Sequence, residues 1–148
     1  MKAVRTYGPW ALCAYVAFVF VQSLFYKFSG SAESIHIFST LATWSGIGLF
    51  EPVGRFGVGT VELVASVLLF VPAVRWLGAL LGIGTMSGAI FFHLFTPLGV
   101  EIKGPGIEPD GGLLFAMACG VWIACAILLL LDRDRIMALA GMTPAKLA

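Results

Sequence analysis

Charge is scarce in this chain. Its 148 residues hold only 9 Lys and Arg and 8 Asp and Glu, 11% in all, for a formal net charge of +1, whereas a soluble domain carries about 25% charged residues. So few charges cannot cover the surface of a soluble globule. A nearly neutral balance also supplies no basic field for phosphate neutralisation, which excludes nucleic acid as a partner. Histidine is limited to 2 residues and cysteine to 3. His36 and His93, even with Glu62, lack the close spacing of a metal motif, so no metal is expected. Cys119 and Cys125 are six apart, and on a helix they point ~120° away from one another. With no Cys-x-x-Cys, these two and Cys13 read as small packing residues rather than a redox pair or a disulfide framework. No Ser-His-acid signature is present, and Gly78-x-x-x-Gly82 and Gly54-x-x-Gly57-x-Gly59 read as helix packing and helix entry rather than a phosphate cradle. Hydrolases and nucleotide enzymes are disfavoured.

What is abundant is apolar: 59% hydrophobic residues, 12 Phe and 18 Gly, with a mean hydropathy of +0.98. The pattern predicts an all-α polytopic membrane protein, a four-transmembrane-helix bundle with a partly helical first outer loop. Residues 1–148 form a single membrane domain. Its charge-free apolar runs place spans at about 10–28, 57–74, 76–98 and 111–131, each near the ~17–25 residues that cross the hydrocarbon. Outer loops fall at 29–56 and 99–110. A signal peptide would begin like the first span and be cleaved near Ser29-Gly30-Ser31-Ala32, but the apolar run is long for such a segment and further spans follow, so the first helix is expected to stay. Lys2, Arg5, Arg75, Arg133, Arg135 and Lys146 lie on one side of these spans, against Lys27, Arg55 and Lys103 on the other. The basic excess puts both termini in the cytoplasm and the chain in the cytoplasmic (inner) membrane. Within the first outer loop an amphipathic helix is expected at Ala32–Trp44, ended by the Gly46–Gly48 break and lying along the headgroups as a lid. The second loop, with Gly104-Pro105-Gly106, reads as a turn-rich cap.

Glu62 is the one acid well inside a predicted span. A carboxylate there costs several kcal/mol unless it is paired, protonated or hydrated, so it is expected to face the bundle interior, as a ligand site or as a structural strut. Depth supplies its partners. Lys27 ends the first helix and His93 lies about five residues before the outer end of the third, so all three belong to the outer leaflet. Gln22 and Tyr26, like Ser23 and Lys27, are spaced four apart and form one polar stripe. Histidine titrates near neutrality, and with a carboxylate nearby it suits proton handling or hydrogen bonding to the polar head of a lipophilic molecule. Trp44, Phe91, Phe92 and Phe95 are candidate apolar walls.

Lys27-Phe28-Ser29-Gly30, then Gly59-Thr60-Val61-Glu62-Leu63 running to Leu68-Leu69-Phe70-Val71-Pro72, then Leu77-Gly78-Ala79 leading to Met86-Ser87-Gly88-Ala89 and His93-Leu94, resemble the DoxX-like family over about Val16 to Leu131. The order of Lys, Glu and His on successive helices carries most of the resemblance. It implies a small four-helix membrane protein, with relatives that include a membrane subunit of thiosulfate:quinone oxidoreductase, proteins of oxidative-stress defence, and assembly or trafficking factors. The long first outer loop, with Trp44 and Arg55, departs from that pattern. The function expected is an accessory or subunit protein binding a quinone or other lipophilic molecule through Glu62, His93, Lys27, Tyr26, Gln22 and Trp44. It would be at most a membrane subunit of an oxidoreductase, with no intrinsic cofactor and with electrons supplied by a partner redox protein. A scaffold or assembly module without a ligand and a small transporter are the alternative functions, and a homo-oligomer is the alternative to a partner redox protein.

Overall fold

The computed structural model describes residues 2–139 and 141, with side chains from Tyr7 onward. The basic side chains of Lys2, Arg5 and Lys146 used in the orientation argument lie outside it. All regular structure among the described residues is helical: α1 Lys2–Ser29, α2 Ala32–Ser45, a 3-10 turn at Gly48–Phe50, α3 Val53–Leu69, α4 Arg75–Phe95, α5 Leu113–Leu131 and α6 Arg133–Leu139. Three stretches are long and apolar enough to cross a membrane: Tyr7–Ser29, Arg75–Phe95 and Leu113–Leu131. This is an integral membrane protein by length and composition, with large apolar side chains exposed along every long helix.

The second expected span differs from its predicted limits. The helix starts at Val53, directly after Pro52, and ends at Leu69, so α3 has 17 residues and Phe70–Val74 is a turn rather than helix. Arg55 interrupts the apolar run in the sequence, but its guanidinium is held by Glu51 one turn earlier, which lets the helix begin upstream. Proline at position 72 has no N–H for a further turn.

α1 packs against α3 and α5, and α4 fills the gap between α3 and α5, so the four long helices close into a ring. They approach most closely at the end away from α2. A Cβ on Gly78 would lie 2.8 Å from the Ala65 carbonyl oxygen and 2.9 Å from the Leu69 nitrogen, and one on Gly82 would lie 2.6 Å from the Cys125 Sγ. Only glycine permits these helix crossings. Val16, Phe20, Leu69, Val121 and Leu128 fill the core at this level. The Arg75 guanidinium ties the ends of α4 and α5 together here, with Nε and Nη2 on the two Asp132 carboxylate oxygens at 2.9 and 2.6 Å.

At the opposite end the helices part and the two connections close over them. Ser31 caps α2, its hydroxyl accepting from the Ser34 N–H at 3.2 Å, and Gly46 ends the helix at φ +71°, in the left-handed region. The helix thus spans Ala32–Ser45 where Ala32–Trp44 was expected. Phe38 and Leu41 are its buried apolar residues, facing the bundle with the buried Ser34. Residues 96–112 hold turns and no helix, and Gly104 comes against the His36 ring on the side of α2.

Candidate functional site

The parting of the helices leaves a cavity of about 780 Å³ beneath α2, with walls from α1, α3, α4 and α5. That lies within the ~300–1,000 Å³ of small-molecule sites. It descends along α1 from Lys27 to Val19, which is ~12 Å of helix at 1.5 Å per residue. Val19, Met86, Met117 and Ala118 make an apolar floor, and Phe38, Leu41, Phe50 and Phe92 close the upper part. Phe50 meets Phe92 edge to face, with ring centroids 5.7 Å apart.

Five of the six residues expected at the site line this cavity: Glu62, His93, Lys27, Tyr26 and Gln22. The sixth, Trp44, does not. It lies in a separate surface hollow with Thr40, Thr43 and Pro97, because its position on α2 is on the side facing away from the bundle. Of the other aromatic candidates Phe92 lines the cavity, while Phe91 and Phe95 are exposed on the outside of α4.

Lys27 and Glu62 meet directly. The Lys27 ammonium donates to Oε1 at 3.0 Å and Oε2 at 2.9 Å, and also to the Ser23 hydroxyl one turn back on α1. Glu62 is only 2% exposed. All three ammonium protons are thereby committed within the protein. The Glu62 oxygens retain further lone pairs.

His93 does not bond Glu62. It sits in the last turn of α4, where the chain folds back, and its Nδ1 is 2.6 Å from the Gly99 carbonyl oxygen. A carbonyl only accepts, so Nδ1 carries the proton and, in the neutral ring, Nε2 is an acceptor. The ring is fixed further by Phe115, edge on at 5.6 Å.

Two residues outside the expected site set, Asp110 and Arg55, shape the same region. Asp110 lines the cavity; its Oδ1 accepts from the Ile102 N–H at 2.7 Å and the Gly112 N–H at 3.0 Å, and its Oδ2 from the Leu114 N–H at 3.0 Å. Partial burial works against the carboxylate charge, but these three donors and the neighbouring His93 outweigh it and hold the group below the ordinary aspartate range. Asp110 therefore fastens the second connection to the start of α5. Its signal in the sequence is an aspartate followed by Gly-Gly ahead of an apolar helix. Arg55 is the other. Its Nε and Nη2 grip Glu51 at 2.9–3.0 Å, its Nη1 donates to the Lys27 carbonyl at the end of α1, and it covers the Phe56 ring at 4.5 Å. The Glu51/Arg55 spacing of four was the available sign.

Among the described residues no group of His, Cys, Asp and Glu is arranged to hold a metal ion. The family models, the curated proteins and the solved structures that were compared give no match to the chain.

Proposed function

We propose that this is a DoxX-like protein of the cytoplasmic membrane whose four long helices all cross the bilayer, with α2 on the outer side, both termini in the cytoplasm, and a quinone or similar lipophilic molecule bound beneath α2. The 17 residues of α3 reach the lower limit of a crossing, and its ring contacts with α1 and α4 support reading it as the fourth. The carrying observation is the cavity itself: an apolar volume of about 780 Å³ into which a few polar groups converge.

Those groups suit a quinone ring. The Gln22 amide and the Tyr26 hydroxyl offer donors to a carbonyl, and His93 Nε2 and the free lone pairs of Glu62 offer acceptors to a hydroxyl. Lys27, its protons already committed, holds Glu62 in place rather than touching the ligand. A bound quinone would supply two-electron carrier chemistry, with electrons exchanged through a partner redox protein. Purified protein is expected to be stabilised against heat by the tail-less 2,3-dimethoxy-5-methyl-benzoquinone, by ~2.7 kcal/mol at a hundred times its Kd, and His93→Ala to lose most of that effect. Equal stabilisation of both proteins, or of neither, argues against the site.

The direct Lys27–Glu62 pair between two helices also favours a second reading, a scaffold or assembly module in which the pair is a strut joining α1 to α3. That reading predicts loss of stability in Glu62→Gln with no ligand effect in any variant.

A further inference from the structure

The wall between α3 and α4 is not closed. Gly57 and Gly84 line the cavity from these two helices, both are exposed on the molecular surface, and a Cβ built on either would meet nothing within 4 Å. Val53 and Val61 likewise line the cavity and are 58% and 37% exposed. Glycines facing one another across a helix pair normally allow close packing, and Gly78 does so lower down the same pair. At Gly57 and Gly84 the glycines instead border open space that joins the cavity to the lipid-facing surface.

Lys27, Tyr26, His93 and Asp110 lie at the α2 end of the cavity, whereas Gly84 lies nine residues below His93 on α4, ~13 Å along the axis. Val53, Gly57, Val61, Gly84 and Gly88 line the cavity here, and the Thr85 hydroxyl beside Gly84 is turned back onto the Leu81 carbonyl at 2.9 Å. A molecule with its polar ring near His93 has here an apolar exit for an attached chain between α3 and α4, whereas the exposed cavity edge on α1 carries Gln22 and Tyr26. Resting on the lipophile-binding reading above, we infer that the site takes a head-and-tail amphiphile, its ring beneath α2 and its aliphatic tail passing out between Gly57 and Gly84 into the bilayer. Binding then needs no opening of α2, because the molecule enters sideways from lipid.

The test compares two probes with the same ring, the tail-less 2,3-dimethoxy-5-methyl-benzoquinone and its decyl derivative, on the full chain in nanodiscs of phosphatidylcholine and phosphatidylglycerol. Gly57→Leu and Gly84→Leu place side chains in the seam, and helical propensity favours both replacements over glycine, so the fold is retained. Each variant is expected to weaken the decyl probe at least tenfold and to leave the tail-less probe within twofold of wild type. Equal weakening of both probes would show that the glycines belong to the ring site, and unchanged binding of both that the tail runs elsewhere; either overturns the inference. If neither probe binds the wild type, the lipophile-binding reading itself has failed, and the seam with it. Leu113→Trp, at the exposed edge of the α1 and α5 side of the cavity, should weaken the decyl probe no more than the tail-less one, and a selective loss of the decyl probe there would move the exit to that side.

Discussion

The Nζ of Lys27 and the carboxylate of Glu62, 35 positions apart in the chain, form an ion pair at 2.9 and 3.0 Å across α1 and α3. The two ends of the pair are not equivalent. Glu62 is 2% exposed, whereas the Lys27 side chain is 12% exposed and sits at the lid end of its helix. Removing the lysine strands a sealed carboxylate, but removing the acid leaves an ammonium that can stretch towards the headgroups.

Lys27→Met is therefore expected to be the more damaging change, by ~3–5 kcal/mol, with Glu62→Gln costing visibly less. The double variant Lys27→Met with Glu62→Leu should recover part of the loss, since an apolar pair needs no compensation. Thermal unfolding of the four proteins in one detergent measures this. Equal losses in the two single variants, or additive losses in the double, would contradict the asymmetry.

Asp110 sets a pH dependence. Its pKa is held below the ordinary value of 3.8 by backbone N–H donors. A lowered folded pKa means stabilisation that is present above the unfolded value and is lost as pH falls through the folded one. Asp110→Asn should thus cost ~1 kcal/mol at neutral pH, the scale of a lost cap, and the gap between the two proteins should shrink below about pH 4. A gap that is constant down to pH 3 would mean the charge is not what the three donors read.

The glycines of α4 should separate into two kinds. Gly78→Leu forces atoms into the Ala65 and Leu69 backbone, 2.8–2.9 Å from the added Cβ, and is expected to cost more than the ~1–3 kcal/mol of ordinary overpacking because backbone cannot rotate away. Gly88→Leu enters open space and should be neutral or mildly stabilising. Comparing their melting temperatures checks the contrast, and equal losses would refute the open cavity.

Arg55 joins Glu51 to the last turn of α1 with a planar fork, a geometry an ammonium cannot copy. Arg55→Lys should destabilise by ~1–3 kcal/mol, the cost of leaving a buried carbonyl without its donor. If Arg55→Lys melts with wild type, the fork is dispensable.

The helix pattern and the depth of each polar residue were enough to bring Lys27 to Glu62, because both follow from counting residues along apolar runs. His93 was placed at the right depth but given the wrong partner. A loop carbonyl, that of Gly99, competes for its Nδ1, and loop paths leave no periodic trace in a sequence. Trp44 was misplaced for a related reason: the length of α2 was legible, but which face it lays on the bundle depended on the burial of Phe38 and Leu41. The early start of α3 was hidden because Arg55 looked like the end of an apolar run, when pairing with Glu51 lets it sit inside the helix. The cavity itself could not be read at all. Gly57, Gly84 and Gly88 look in sequence like Gly78 and Gly82, and only the splay of the helices turns the first three towards open space.

The most direct test of the account is native mass spectrometry of gently solubilised protein, wild type beside Gly88→Phe, with the bound small molecules extracted and identified. Gly88 lines the cavity with open space before it, so a phenylalanine there fills the binding volume while leaving the Lys27–Glu62 pair and the tight end of the bundle untouched. The account predicts a defined lipophile, a quinone foremost, on the wild type and its absence from a variant of undiminished melting temperature. An empty wild type, or phospholipid alone on both proteins, would contradict it and leave the Lys27–Glu62 pair as a strut.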